Sequence, residues 1–560
     1  MHVIATAGHV DHGKSTLVRM LTGMEPDRWA EERRRGLTID LGFAWTADLA
    51  FVDVPGHERF VPNTLAGIGP VPAVMLVVAA DEGWMPQTAE HVAALNALGV
   101  RHGLVVITKA DRASPSSATT QALHELSDTT LAGSPAVAVS HDGSGLPELR
   151  SALASMTSRL PAPDVDGDVR LWIDRAFTIR GAGTVVTGTL TAGTLHIGDE
   201  LQLSSGARVH VRGLQSLGSP HSFLGAVARV AVNLRGKDTV RRGDALLTPG
   251  AWLTSSEVDV ALRSAGKLHR ELVLHIGSAA VPVHVRPLGT SFARLTLASP
   301  LPLRIGDRGL LRDPGAHRIA AGFDVLDVRP PSLSRRGAAR LRVEELAADS
   351  FLGKRFIAVT EARAMGWAAI GHRVGDWLVS DEHWKTLASQ AQSSVTAWLD
   401  AHPLAAGMPA ETLRQALDLP SLDLVEPLLD RPLTNGIVPR AAETLPQPVE
   451  SAIRKIEQAL RENPFQAPEA DDLRALGLGR KELAAATRLG RLTTIADGIT
   501  LGPDPYPQAL EILATLPQPF TVSDARRALN TTRRVAIPLL ETLDTLGHTH
   551  PLPDGRRQLT

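Results

Sequence analysis

Short apolar runs alternate with helical stretches through the first 150 residues. Val3–Thr6, Leu49–Asp53, Ala73–Ala80, Leu104–Thr108 and Ala136–Ser140 each read as a short β-strand. Ala73–Ala80, almost wholly apolar, reads as a strand buried on both faces. Between them, Lys14–Thr22, Thr88–Leu98 and Ser117–Ser127 predict helices. Strands alternating with helices predict a doubly wound α/β domain over 1–167, whose ligands sit at the carboxyl ends of the strands. From about residue 168 the pattern changes. Phe177–Arg180, Gly183–Thr189, Val209–Leu214 and Ala228–Asn233 are short alternating runs, and a turn at Pro249-Gly250 divides the region. That predicts two β-barrels, at 168–250 and 251–332. After Pro330-Pro331 and the basic stretch Ser334–Gly337 the pattern becomes helical. A degenerate unit recurs from Pro403, Pro464 and Pro519, each time with helices, a turn and a short β wing. This is the winged-helix form of helix-turn-helix. A fainter copy at about 340–385 would bring the array in 333–560 to four, with the last unit at about 506–560.

Composition narrows the function classes. A chain of 560 residues is long enough for several cores. Its formal net charge of −2 gives no global basic field, so contacts with nucleic acid depend on local patches. The absence of cysteine removes disulfides, Cys-zinc sites, Fe–S clusters and thiol catalysis, and fits a reducing compartment. Met1–Thr6 has neither a basic start nor a long apolar stretch, so no secretory leader is expected. Ala73–Ala80 falls far short of the ~20 residues that cross a bilayer. The expectation is a cytoplasmic monomer without membrane contact. With 11 Phe, 9 Trp and 1 Tyr, base stacking on aromatic platforms is not its obvious way to hold RNA.

Candidate chemistry gathers at the predicted strand ends. Gly8-His9-Val10-Asp11-His12-Gly13-Lys14-Ser15 fits the phosphate-loop pattern, with Thr16 next in the helix. The glycines let backbone amides approach phosphate oxygens, and the helix N-terminus adds partial positive charge. Lys14 can reach the β- and γ-phosphates of a nucleotide, and Ser15 can ligate Mg²⁺. Asp53 can hold the same ion through water, and Gly56 can turn its amide to the γ-phosphate. Asp111 can accept two N–H bonds from a guanine edge, which adenine cannot supply. Lys109 stands beside it, and Ser140 at the next strand end completes a base pocket. Each alone is weak, because aspartates often merely cap helices. Their order along successive strand ends is the strong signal.

The segments GHVDHGKS (8–15), RGLTID (35–40), DVPGHERF (53–60) and TKAD (108–111) resemble the translational GTPases related to elongation factor Tu. The resemblance implies GTP and Mg²⁺ as ligands and a ribosome-stimulated GTPase. It implies that Thr38 places its hydroxyl on Mg²⁺, and that His57 positions the attacking water, gated by Val10 and Leu37. Thr108 departs from the family, which mostly has Asn there to brace the phosphate loop. Ala176–Thr189 and Gly198-Asp199 resemble the family's second domain and 252–330 its third. There the three domains together clamp an aminoacyl-tRNA.

A narrower resemblance rests on Arg28–Phe43 with its Asp40-Leu41-Gly42 ending, on Asp174-Arg175, and on Arg242-Gly243-Asp244. These are similar to the selenocysteine-specific elongation factors. The resemblance implies a cationic pocket of Arg175 and Arg242, oriented by Asp174. A selenol is more acidic than a thiol, whose reference pKa is ~8.5, so it is anionic near neutral pH. Serine on the same tRNA is neutral, and an arginine pair would prefer the anion. Ordinary structural salt bridges at Arg175 and Arg242 are the alternative. The resemblance further implies that the last winged helix binds an mRNA hairpin beside a recoded UGA codon, while the chain delivers selenocysteinyl-tRNA to the ribosome. In that unit Arg526, Thr531, Thr532, Arg533 and Arg534 surround the start of the recognition helix, and Arg556 and Arg557 lie in the wing. A fragment of about 448–560 is expected to carry the tether. A general elongation or initiation factor, and a GTP-regulated nucleic-acid-binding module, remain the alternatives at this stage.

Overall fold

The computed structural model describes residues 2–560 except 27–37, 39, 58–59, 70, 180–182, 237–238, 264–265, 267, 349–355, 368–370 and 441–443. Arg28–Leu37 of the quoted switch segment, Glu58, Arg59 and Arg180–Ala182 lie outside these. The chain divides into two compact units, one of residues 1–371 with 376–380, the other of 372–375 with 381–560.

The first unit opens with β1 (His2–Ala7), α1 (Lys14–Thr22), β2 (Gly42–Trp45), β3 (Leu49–Asp53), α2 (Val61–Ile68) and β4 (Ala73–Ala79). It continues with α3 (Pro86–Leu98), β5 (His102–Thr108), α4 (Pro115–Leu126), β6 (Ala136–Ala138) and α5 (Leu146–Ser158). Among the described residues the strands form one sheet in the order β2-β3-β1-β4-β5-β6. It is parallel apart from β2, which runs antiparallel to β3. Every residue of β4 is buried, as a central strand covered on both faces requires. Leu17, Val18, Leu149 and Leu153 cover one face, and Leu65, Val92, Leu95 and Leu126 the other. This doubly wound order brings the ends of β1, β3 and β5 to one edge.

Among the described residues fifteen strands follow: β7 (Arg170–Ile179), β8 (Gly183–Leu190), β9 (Thr194–His196), β10 (Glu200–Leu203), β11 (Arg208–Ser216), β12 (Ser219–His221), β13 (Phe223–Gly225), β14 (Ala228–Arg235), β15 (Ala245–Leu247), β16 (Thr254–Arg263), β17 (Glu271–Ile276), β18 (Ala279–Leu288), β19 (Phe292–Pro302), β20 (Arg308–Asp313) and β21 (Arg318–Asp327). In the first barrel the order is β10-β15-β7-β8-β14-β11-β12, and pairing of β10 with β11 closes the ring. The second barrel closes as β16-β19-β18-β17-β20-β21. Each has its own apolar core, Leu171, Ile173 and Val232 in the first and Val260, Leu295 and Phe323 in the second.

The described helices of 340–385 that precede Asp381 do not join the winged-helix array. Ala338–Ala347 packs Leu346 against Leu288 and Leu333. Ile357, Ala362 and Met365 enter the core of the second barrel. A buried ion cluster fixes the first helix. Arg342 donates to Asp259 at 2.7 Å and Asp327 at 2.6 Å, and Arg294 shares Asp259 at 2.7 Å.

In the second unit the described residues form three winged helices. The first has helices Asp381–Ala401, Ala410–Ala416 and Val425–Leu429 and the wing Gly407–Pro409 with Ile437–Pro439. The next has Gln447–Glu462, Ala470–Ala475 and Arg480–Arg488 and the wing Thr493–Ala496 with Ile499–Leu501. The last has Pro505–Ala514, Val522–Ala528 and Arg533–Thr545 and the wing Thr549–Pro551 with Arg557–Leu559. The final two share one core, in which Ile453, Phe465 and Leu501 pack with Leu513, Phe520 and Leu539. A fragment of 446–560 should therefore melt in one cooperative transition by circular dichroism, and one of 506–560 should show none. Leu539→Ala should destabilise the longer fragment by ~2–5 kcal/mol, since Leu539 is fully buried at the shared core.

Candidate functional site

The loop between β1 and α1 is held by its own glycines and by four neighbouring elements. Gly8 has φ of 131°, and a Cβ there would stand 2.1 Å from the Val77 carbonyl oxygen, so the loop lies flat against β4. Gly13 has φ of 84° at the N-cap of α1. Lys14 folds back under the loop and donates to the carbonyls of Gly8 at 3.0 Å and His9 at 2.7 Å. Gly56 approaches from the end of β3, where a Cβ would stand 2.6 Å from both Lys14 Nζ and Val10 N. His57 follows it, half-buried, with its ring 5.9 Å from that of Phe60.

Two residues of α3, absent from the sequence reading, complete the support. The Val10 amide donates to Gln87 Oε1 and the Gly8 amide to His91 Nδ1, each at 3.0 Å. Burial pushes the His91 imidazole down to about 3, so it stays neutral and can accept. The two are i, i+4 neighbours on one face of α3, but the helix expected from sequence over Thr88–Leu98 leaves out Gln87. His12 is also buried, and that burial pushes its imidazole down to about 4. His9 is half-buried, its imidazole lowered mainly by desolvation, and its ring meets the edge of His12 at 5.2 Å. Asp11 is exposed, with φ of 61°.

Thr108 does brace the loop. Its Oγ1 donates to the His12 carbonyl at 2.7 Å. A short hydroxyl at the end of β5 reaches the loop backbone directly, so the departure from Asn leaves a brace in place.

Ser15, Thr38 and Asp53 converge. Ser15 Oγ donates to Asp53 Oδ2 at 2.7 Å and lies 3.1 Å from Thr38 Oγ1. Thr6, a fourth member not read from sequence, donates to Asp53 Oδ1 at 2.7 Å. Burial raises the Asp53 carboxyl above its ordinary range, opposed by the hydrogen bonds from Ser15 and Thr6. Two hydroxyls and a buried carboxylate are oxygen donors of the kind a hard divalent cation takes together with water, so the residues fit Mg²⁺.

A cavity of 230 Å³ opens beside this cluster, lined by Gly13, Thr16, Thr108, Lys109, Asp111 and Ser140 among others. Asp111 is exposed and accepts the His141 amide at 3.0 Å, and backbone hydrogen bonds hold its carboxyl below the usual range. Lys109 Nζ is tied to Glu82 at 2.7 Å and Asp81 at 3.3 Å.

The arginine pair lies where the first barrel meets the α/β domain. Arg175 Nη2 donates to Asp40 Oδ2 at 2.7 Å and to the Leu41 carbonyl at 3.1 Å. Arg242 donates to Asn63 Oδ1 at 2.8 Å and the Pro62 carbonyl at 3.3 Å, and stands 3.7 Å from Asp40 Oδ1. Arg175 borders a cavity of 860 Å³ with Asp40, Phe43, Phe177, Thr187 and Arg229, while Arg242 is not among its lining residues. Asp174 does not orient the pair. A register shift between Ile173 and Arg175 turns its carboxylate to Thr187, at 2.8 Å, and to a two-pronged ion pair with Arg229. Arg229 in turn lies over the Phe43 ring at 4.0 Å.

In the tail, two expected RNA contacts are spent inside the fold. Thr531 is buried and donates to the Phe465 carbonyl of the preceding winged helix. Arg557 is mostly buried and pairs with Asp544 at 2.8 Å, tying the wing to the last helix. Arg556 pairs with Asp554 at 2.6 Å, and Arg534 with the Pro468 carbonyl at 3.2 Å. Thr532 stands at the N-cap position of the helix without a side-chain capping hydrogen bond and is exposed beside Arg533. The side chains of Arg526 and Arg533 have no hydrogen-bond or ion-pair partner among the described residues.

Residues 1–159 match the elongation factor Tu GTP binding domain, 255–332 the selenocysteine-specific elongation factor beta-barrel domain, and 511–558 the elongation factor SelB winged helix. The selenocysteine-specific elongation factor of Desulfomicrobium baculatum is 39% identical over 65% of this chain and 63% of its own. The chain thus matches under two thirds of that relative's length. The protein of the same name from Haemophilus influenzae is 29% identical over 97% of both chains. The crystal structure of a bacterial selenocysteine-specific elongation factor, EF-Sec, superposes with a TM-score of 0.71 at 25% identity, over 100% of this chain and 99% of that one. Thr108→Ala removes one neutral hydrogen bond to the phosphate loop, worth about 1 kcal/mol. It should weaken GTP binding roughly fivefold in a nucleotide titration.

Proposed function

The chain belongs to the selenocysteine-specific elongation factors of the elongation factor Tu family, and on that premise we propose that it hydrolyses GTP and delivers selenocysteinyl-tRNA to the ribosome at UGA codons while held on an mRNA hairpin. The observation that carries this reading is the meeting of Arg175 and Arg242 on one carboxylate, two residues from a cluster suited to Mg²⁺.

In this reading the amides of the phosphate loop, aimed by Gln87 and His91, hold the phosphates, and Lys14 leaves its carbonyl partners for the β- and γ-oxygens. Ser15, Thr38 and Asp53 would hold Mg²⁺, which supplies positive charge to the phosphate oxygens as the bond to the γ-phosphate breaks. Asp111 reads the guanine edge, with Lys109 and Ser140 beside the base. His57 orients the water whose oxygen attacks, acting chiefly in the transition state. Arg175 and Arg242 favour a selenolate over a neutral serine hydroxyl. In the tail Arg533, with Arg526, Arg534, Arg556 and Thr532 around it, grips hairpin phosphates. Translation places the work in the cytoplasm. No helix among the described residues is long and apolar enough to cross a membrane.

The test is to titrate the GTP form with one tRNA charged either with selenocysteine or with serine. Selenocysteinyl-tRNA should bind more tightly, and Arg175→Ala should cost it at least about tenfold, the equivalent of a charge-assisted hydrogen bond of ~1.5–3 kcal/mol, with seryl-tRNA hardly changed. Equal affinity for both in the wild type would overturn the reading. For the tail, Arg533→Gln should weaken hairpin binding and make its salt dependence shallower, because fewer counterions are released. An unchanged salt slope, measured by filter binding, would remove Arg533 from the contact.

A further inference from the structure

We infer that Asp40 is a positioning residue through which the nucleotide site controls the amino-acid pocket. The inference rests on reading Arg175 and Arg242 as that pocket. Asp40 belongs to the α/β domain, whereas both arginines belong to the first barrel. It is the carboxylate on which the two guanidinium groups meet, at 2.7 Å from Arg175 and 3.7 Å from Arg242.

The segment carrying Asp40 is fixed at both ends. Thr38, two residues before it, lies 3.1 Å from Ser15 in the metal-suited cluster. Gly42, two residues after it, is paired in β2 with Asp53 of β3. Leu41 between them is buried. Asp40 stands two residues from Thr38, a reach of at most ~7 Å along the chain, so a shift of Thr38 bears on the Asp40 carboxylate. The nucleotide acts on Thr38 through Mg²⁺ in the proposed function, and Asp40 passes that state to the arginines.

Charge and donor counts give the segment its chemical sense. Asp174 is already matched by Arg229, which leaves two guanidinium charges against the single charge of Asp40. Among the described residues this sets two guanidinium groups against one carboxylate, an excess that a monoanion balances and a hydroxyl does not. Arg175 spends only Nη2 on Asp40 and Leu41, so its Nε and Nη1 donors are uncommitted among the described residues beside the 860 Å³ cavity. Asp40 thus aims Arg175 without saturating it. This is coupling between two sites through a short, doubly anchored segment, and it is reciprocal.

The experiment measures, with the full chain, how much more tightly each charged tRNA binds in the presence of GTP than of GDP. In Asp40→Asn the advantage conferred by GTP on selenocysteinyl-tRNA should shrink by at least about tenfold, the scale of one charge-assisted hydrogen bond. For seryl-tRNA it should change by less than about threefold. Asp40→Glu, which keeps the charge, should restore part of the advantage. By reciprocity, selenocysteinyl-tRNA should slow GTP release less in Asp40→Asn than in the wild type. An advantage preserved within threefold in Asp40→Asn overturns the inference, and so does an equal loss with both tRNAs, which marks a general domain contact. Arg175→Ala separates the two layers. If it leaves the preference for selenocysteinyl-tRNA intact, the pocket reading fails and the inference falls with it. If it abolishes the preference while Asp40→Asn keeps the GTP advantage, only the inference fails.

Discussion

Asp53 is a carboxylate with no exposure to water, and the groups around it are arranged to satisfy its charge. A buried carboxylate without hydrogen bonds would take up a proton. Here Thr6 of β1 and Ser15 of α1 both donate to it, and Thr38 stands against Ser15. One acidic group thereby joins the first strand, the phosphate-loop helix, the third strand and the segment leading into β2. Burial against two hydroxyl donors leaves the carboxylate oxygens in one place, and the sheet thereby brings together oxygen donors of the kind a divalent cation takes.

Much of this was legible in the sequence, for a physical reason. The phosphate loop, Asp53-Val54-Pro55-Gly56 and Thr108–Asp111 are contiguous segments whose backbone shape is set by their own glycines and by the strands they end. Such motifs survive the step from one dimension to three. Gln87, His91 and Thr6 act through contacts to residues far away in the chain, and nothing local marks them. Asp174 shows a different limit. Its neighbour Arg175 was read as its partner, but a register shift in β7 separates the two side chains, and Arg229, distant in sequence, takes the carboxylate. Strand periodicity predicts faces only where the ladder is regular.

Charge was the least legible property. Arg342 falls in the stretch read as a fainter winged-helix copy, where nothing local marks it for burial. Yet it is 3% exposed and forks between Asp259 and Asp327 on the second barrel. Thr531 and Arg557 likewise read as a nucleic-acid face and proved to be internal ties. Arginine serves both purposes, and only the position of its carboxylate partner decides which.

The tail shows how such ties shape function. Thr531 lies at the turn before the last helix and bonds the backbone of the preceding unit at Phe465, while Arg534 at the helix start bonds Pro468. The start of the recognition helix is thus clamped to the neighbouring winged helix by the residues beside Arg533. The backbone of Arg533 is thereby held in place, while its exposed guanidinium, without a partner among the described residues, keeps its own rotamer freedom. A phosphate docked there, as proposed, would cost less backbone freedom, so more of the electrostatic gain would appear as affinity. The shared core of the last two units, with the Thr531 and Arg557 ties beside it, thus sets where the exposed arginines of the last helix start from.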